Sequence, residues 1–90
     1  MKIKDGFVVR KIADVAYAVA VGERSRELSG MFKLSETGEL LWKELSEERS
    51  RDYLLEKLLA EYEVERDIAA RDVDAFIKKL SEANLLEGEL

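Results

Sequence analysis

Carboxylates are the most abundant side chains in this sequence that could take part in acid–base or metal chemistry. Asp and Glu together number 20, whereas His and Cys are both absent. Without His the chain lacks the commonest general base and metal ligand, and without Cys it has no thiolate or disulfide. No calcium-binding or phosphate-binding loop motif is present, and the pair Glu47 and Glu48 is typical of a solvated face. We therefore expect no catalytic residue, no metal site, no cofactor and no enzymatic activity.

The charge pattern restricts the classes of partner. Charged residues make up 39% of the chain, and the formal net charge is -5. Basic and acidic residues are interspersed, and an acidic chain is a poor ligand for nucleic acid because phosphate contacts supply most of that affinity. The longest apolar runs fall far short of the ~20 residues that span a bilayer. A signal peptide is not recognisable either. We expect a cytoplasmic protein that binds neither nucleic acid nor a membrane.

Three segments in the first part of the chain have the pattern of β-strands. Residues 7–13 are rich in β-branched and aromatic side chains. Residues 15–21 alternate strictly, with the odd-numbered side chains on one face and three alanines on the other, which indicates a half-buried strand. Asp14 lies between these segments and indicates a tight hairpin, although the turn type is not specified. Residues 28–34 form the third strand, in which Gly30 indicates a bulge or a close backbone approach.

Three amphipathic helices are predicted after the strands. Ser35 and Ser50 are each placed to accept a hydrogen bond from an orphan N–H group of a first helical turn. The third helix begins at residues 65–67 and ends near Asn84, and Leu85 and Leu86 are expected to fold back onto the core. Ninety residues correspond to one domain. The sequence thus predicts an α+β fold: a three-stranded antiparallel meander with three helices packed on one face.

Two segments resemble the pyrroloquinoline quinone synthesis protein D (PqqD) family. LSETGELLW, residues 34–42, is similar to the family signature L-N-E-T-(A/G)-x-x-(I/L)-W. The pattern DV-x-x-FI-x-x-L-x-x-x-NLL, residues 72–86, is similar to the family ending D-V-x-x-F-(L/I)-x-x-L-x-x-x-G-L-L. Ser35 replaces the usual Asn, and Asn84 replaces the usual Gly. Both substitutes suit their positions, because Ser caps helices and Asn tolerates a left-handed helix end.

The resemblance implies a winged-helix-like domain that binds the leader segment of ribosomally made precursor peptides. In this family the leader adds as an extra strand to the third strand and lies against the third helix. The domain then presents the precursor to a modifying enzyme, such as a radical S-adenosylmethionine protein or a leader protease. The resemblance does not identify the precursor or the pathway.

The physical basis of such binding is also present in the residues themselves. The third strand ends the meander, so it is expected at a sheet edge, where unpaired backbone groups can accept an extended peptide. The third helix has more apolar positions than one narrow stripe requires, and part of that surface is expected to line a groove. The predicted peptide-binding residues are Leu28, Ser29, Gly30, Met31, Phe32 and Lys33 on the strand and Asp72, Val73, Phe76, Ile77 and Leu80 on the helix.

Several alternatives remain open from the sequence. Val73, Phe76 and Leu80 have the spacing of an ordinary core stripe, and Ile77 is offset from it. A winged-helix DNA-binding transcriptional regulator is the main alternative function, although the third helix, counted from Glu65, carries five acidic residues against four basic ones. A small hydrolase with paired carboxylates is disfavoured by the absence of His and Cys. The free edge strand also predicts that two copies of the chain can pair as a homodimer.

Overall fold

The computed structural model describes residues 1–22 and 31–88. These residues form a short strand and three longer strands, then three helices, and then another short strand. The elements are β1 Lys2–Ile3, β2 Phe7–Ile12, β3 Val15–Ala20, β4 Met31–Leu34, α1 Glu36–Glu44, α2 Arg51–Glu61, α3 Arg66–Glu82 and β5 Leu86–Glu87. This architecture confirms the predicted α+β meander followed by three helices. The strands β1 and β5, which pair with each other in a separate two-stranded sheet, were not predicted.

The three-stranded sheet has the order β2-β3-β4, and both strand pairs are antiparallel. Ala13 and Asp14 connect β2 to β3 with φ values of 51° and 68°. Positive φ at both central residues is the geometry of a type I′ turn, whose twist matches that of the flanking strands. The hairpin predicted at Asp14 is therefore present, although the sequence did not indicate its turn type.

The alternating side chains of β3 divide between a helix-facing and an outward face of the sheet. Ala16 and Ala18 are buried with 4% and 3% exposure, whereas Tyr17 and Val19 on the other face are partly exposed. The small alanine side chains thus take the face that packs into the core. Leu34 and Phe32 lie opposite these alanines on β4 and join the same face.

Helices α1 and α2 start directly after the two serines that were predicted to cap them. Ser35 Oγ accepts a hydrogen bond from the Gly38 N–H at 3.0 Å, and Ser50 Oγ accepts one from the Tyr53 N–H at 3.1 Å. Each bond satisfies a donor that the first helical turn cannot. The first cap, Ser35, is the only residue between the strand's last inward side chain, Leu34, and the start of α1 at Glu36.

The core lies between the sheet and the three helices. Its largest fully buried side chains are Leu41, Leu45, Leu54, Leu58, Val73 and Leu80. After α3, Asn84 adopts a left-handed φ of 60°, and the chain turns so that Leu85 is 3% exposed. The expected return of the C-terminal segment to the core is therefore confirmed. Among the described residues, no helix has the length and apolar character needed to cross a membrane.

Candidate functional site

The β4 strand has one unpaired edge in the described structure. It pairs with β3 on one side, and no described strand lies on the other. Its four residues alternate from exposed Met31 through half-buried Phe32 and exposed Lys33 to buried Leu34. An edge of this kind presents backbone N–H and C=O groups to an incoming extended chain, while alternate side chains face into or away from the core.

Phe32 is fixed from both sides of its ring. On the core side, its centroid lies 6.4 Å from the centroid of Trp42, which is itself buried and contacts Phe7 edge-on at 6.0 Å. On the solvent side, the Lys79 Nζ lies 4.7 Å from the Phe32 centroid, within the range of a cation–π contact. An aromatic ring at the strand edge is thereby joined to a charged side chain of α3.

A cleft runs between the end of β4, the start of α1 and one side of α3. Its first half has a volume of about 270 Å³, and its lining residues are Phe32, Lys33, Leu34, Ser35, Phe76 and Lys79. Its second half has a similar volume of about 270 Å³, and its lining residues are Ser35, Thr37, Gly38, Leu41, Asp72, Ala75, Phe76 and Lys79. Because the halves share Ser35, Phe76 and Lys79, we describe them together as the β4–α3 cleft.

Gly38 lets the Phe76 ring approach α1. A Cβ at this position would lie 3.1 Å from Ser35 Oγ and 3.4 Å from a ring carbon of Phe76. A larger side chain would therefore press against both the helix cap and the aromatic wall of the cleft. The glycine has a packing role here, which is consistent with its place inside a helix despite the low helix propensity of glycine.

Three sides of α3 have different neighbours. Asp72, Phe76 and Lys79 follow one another at spacings of four and three residues, so they share one side, which we call the cleft flank. Val73 and Leu80 are 0% exposed and face the core. Asp74 and Ile77, three residues apart, share the remaining side, which we call the α2 flank because Asp74 contacts α2 there.

These positions correct part of the predicted peptide-binding set. Val73 and Leu80 have no exposed side-chain surface for a peptide to contact, and Ile77 is half-buried against the core on the α2 flank. We therefore leave these three residues out of the candidate site. Asp72 and Phe76, which were predicted to line a groove, line the β4–α3 cleft.

The strand half of the predicted set is only partly described. Phe32 and Lys33 line the cleft, and Met31 is 55% exposed on the outward face of the sheet. Leu28, Ser29 and Gly30 lie outside the described residues. The candidate site that we carry forward therefore consists of the β4 edge together with the cleft flank of α3.

Several cleft residues were not singled out from the sequence as binding residues. The lining residues missed were Leu34, Ser35, Thr37, Gly38, Leu41, Ala75 and Lys79. A signal for Lys79 was available, because it follows Phe76 by three residues and Asp72 by seven and therefore lies on the same helical side. The contribution of α1 had no such signal, since it depends on how that helix packs against α3.

Charges on the α2 flank are neutralised within the protein. Asp74 accepts two hydrogen bonds from Arg51, at 2.7 and 2.9 Å, and the hydrogen bonds and charge of Arg51 lower the pKa of the Asp74 carboxyl. Arg66 near the start of α3 donates to Glu56 of α2 at 2.8 Å and lowers the pKa of Glu56. These contacts join α3 to α2 and leave the cleft flank as the more open side of the helix.

The arrangement provides several kinds of contact for a bound ligand. The cleft offers a backbone edge, two aromatic rings, two lysines and one carboxylate. Among the described residues, no group of three or more His, Cys, Asp or Glu side chains is placed to hold a metal ion. A separate depression of about 510 Å³ near Trp42 and the N-terminal segment shares no lining residue with the cleft.

Comparisons with known proteins agree with this geometry. The model of the family described as coenzyme PQQ synthesis protein D (PqqD) matches residues 17–86. Among solved structures, the chain is similar to TbiB1 in complex with the TbiA(beta) leader peptide, with 29% sequence identity and a TM-score of 0.75. That alignment covers 100% of this chain and 99% of the other. No curated protein matches the sequence.

Proposed function

The chain belongs to the coenzyme PQQ synthesis protein D family, whose model matches most of its length, and we propose that it is a non-enzymatic module that binds the leader segment of a ribosomally made precursor peptide. The leader adds as a strand to the free edge of β4 and places inward side chains in the β4–α3 cleft. The module then presents the precursor to a modifying enzyme, such as a radical S-adenosylmethionine protein or a leader protease.

The observation that carries this proposal is the coincidence of an unpaired strand edge with an apolar cleft. Backbone hydrogen bonds to an edge strand provide affinity without sequence preference, and pockets for alternate side chains provide selectivity. Here Phe32 belongs to the strand and Phe76 to the facing helix, so one extended chain along β4 can contact both. The solved complex of TbiB1 with a leader peptide supports this interpretation, because the structural alignment with it covers 100% of this chain.

The DNA-binding alternative has less support from α3. Its basic residues Arg66, Arg71, Lys78 and Lys79 are matched by an equal number of acidic residues on the same helix. Arg66 is also engaged with Glu56. A recognition helix needs a net positive surface to contact phosphates. A salt-sensitive shift of random duplex DNA by the purified protein would favour the regulator over the peptide-binding module.

Titration with leader peptides tests the proposal directly. The probes are fluorescently labelled leader segments of the short precursors encoded beside the gene, each compared with a scrambled peptide of the same composition. We expect binding of one leader and not of its scrambled form. Methylation of successive backbone nitrogens of that leader is expected to lower the affinity at every second position, because alternate N–H groups of an added strand point toward β4.

Two results would contradict parts of this proposal. If none of the encoded leaders binds, leader recognition is rejected. If a leader binds but nitrogen methylation has no effect with a period of two, then strand addition is rejected and the peptide is held only by its side chains. Omission of the protein from a reaction of the neighbouring modifying enzyme with its precursor tests presentation, and we expect the rate of modification to fall.

A further inference from the structure

Two lysines at the β4 half of the cleft have no carboxylate partner among the described residues. Lys33 is exposed, and the Lys79 Nζ lies over the Phe32 ring. Four other lysines each lie within 4.0 Å of a carboxylate oxygen: Lys11, Lys43, Lys57 and Lys78. Lys33 and Lys79 thus place two positive charges that pair with no described carboxylate at one half of the cleft, in a chain whose net charge is -5.

The other half of the cleft also contains a carboxylate. Asp72 lines only the half next to Thr37 and Gly38, and it makes no ion pair with another described residue. It precedes Lys79 by seven residues, which corresponds to about 10 Å along the helix axis. Both side chains line the second half of the cleft, and this separation equals about three residues of an extended peptide. Lys33 lines only the β4 half and Asp72 only the other half, whereas Lys79 lines both, so the cleft is more basic at its β4 half.

We propose that this polarity selects the ligand: the cleft takes an extended peptide segment in which an acidic residue lies on one side only of an apolar residue. The inference rests on the proposed function, since it specifies which leader sequences the same site accepts. The apolar side chain lies between Phe32 and Phe76, the acidic side chain lies at the Lys33 and Lys79 end, and an acidic side chain at the other end is repelled by Asp72.

The alternation of strand side chains sets the spacing of this motif. A peptide residue opposite Lys33 points to the same outward face as Lys33 and can form a cross-strand ion pair with it. Its immediate neighbours point inward, one toward the space between Phe32 and Phe76. The acidic residue therefore directly adjoins the apolar one. A second acidic residue can meet Lys79 from the inward face beside the Phe32 ring.

Selection from a displayed library of random ten-residue peptides tests the inference without a known precursor. The wild-type protein is expected to enrich peptides with Asp or Glu on one side of an apolar residue. A Lys33→Glu, Lys79→Glu double variant is expected to lose that preference and to enrich Lys or Arg there. The control carries Lys78→Glu, which makes the same charge change as Lys79→Glu alone, on the same helix but outside the cleft lining, and its preference is expected to stay that of the wild type.

Affinities of one selected peptide make the test quantitative. Replacement of its acidic residue by Gln is expected to weaken binding to the wild type about threefold to fivefold, which is the range of a mostly exposed ion pair. The same replacement is expected to change binding to the double variant little or to improve it. The difference is expected to shrink when the salt concentration rises to about 0.5 M, because screening weakens exposed pairs.

Each alternative outcome has a defined meaning. If binders are enriched without an acidic preference, or if the preference persists in the double variant, the charge inference is overturned while the proposed function stands. If acidic residues are enriched equally on both sides of the apolar residue, the role of Asp72 is overturned. If no peptide is enriched at all, both the charge inference and binding of extended peptides are contradicted.

Discussion

The cleft flank and the α2 flank of α3 show how one helix serves two purposes. On the α2 flank, Asp74 and Arg66 form hydrogen-bonded ion pairs with Arg51 and Glu56 of the neighbouring helix. On the cleft flank, Asp72 has no such partner within residues 1–22 and 31–88, and Lys79 contacts an aromatic ring instead. The protein's own side chains satisfy the first flank, whereas the second is left open. From this comparison we propose that a ligand binds the unneutralised side of α3 rather than its most apolar side.

The largest effect is expected from the core side that lies between the two flanks. Leu80→Ala is expected to lower the free energy of unfolding by about 2–5 kcal/mol, because it leaves a cavity in a fully buried position. Urea unfolding measures this loss. Ile68→Ala on the same helix is the control, since Ile68 is 47% exposed, and its cost is expected to stay below about 1 kcal/mol. Equal costs for the two variants would return Leu80 to the candidate binding surface.

An intermediate effect is expected on the cleft flank, in affinity more than in stability. Phe76→Ala removes an aromatic wall that both halves of the cleft share, so the affinity for a leader peptide is expected to fall at least about tenfold, or ~1.4 kcal/mol. The comparison variant is Ile77→Ala, because Ile77 is also half-buried but lies on the α2 flank. Fluorescence titration of both folded variants measures the difference.

The outcome for Ile77 decides whether the assignment of the two flanks is right. We expect Ile77→Ala to lower stability while leaving peptide affinity within about twofold of the wild type. If Ile77→Ala weakened peptide binding as much as Phe76→Ala did, the peptide would also contact the α2 flank, and the assignment of binding to the cleft flank alone would be wrong. The original expectation that Ile77 contributes to the groove would then be restored.

The smallest effect is expected from the exposed ion pair of the α2 flank, and it depends on pH. The folded-state pKa of Asp74 lies below its ordinary value of 3.8 because Arg51 hydrogen-bonds to the carboxylate. The resulting stabilisation is therefore fully present above about pH 4 and is lost as the pH falls through the lower folded pKa. Asp74→Asn is expected to lower the Tm slightly at neutral pH, and the difference is expected to disappear in acid.

Thermal unfolding from pH 7 to pH 3 at low salt measures this dependence. Asp72→Asn is the matched control, since Asp72 is on the same helix but forms no ion pair with a described residue. The two substitutions are expected to differ at neutral pH and to converge in acid. A pH-independent difference would show that the Asp74 contribution comes from packing or hydrogen-bond geometry rather than from its charge.

Local patterns predicted much of the fold. The period of two identified β3, the serines at positions 35 and 50 marked two helix starts, and Asn84 marked the end of α3. These features depend on a residue and its near neighbours in the chain, so they are readable from the sequence. The short pairing of β1 with β5 was missed because it joins residues more than 80 positions apart through two-residue strands.

The amino-acid sequence by itself determined the strand–helix order, the exclusion of His and Cys chemistry, and the resemblance that family membership later confirmed. Only the tertiary structure decided which residues of α3 face the cleft. Helical spacing shows that Asp72, Phe76 and Lys79 share a side, but not which neighbour that side meets. One side of α3 faces the core, another contacts α2 and a third lines the cleft. The sequence alone therefore could not show which of its apolar residues lie on which side. For this reason Val73 and Leu80 proved to be core, Ile77 proved to be half-buried against that core, and Lys79 emerged as part of the candidate site.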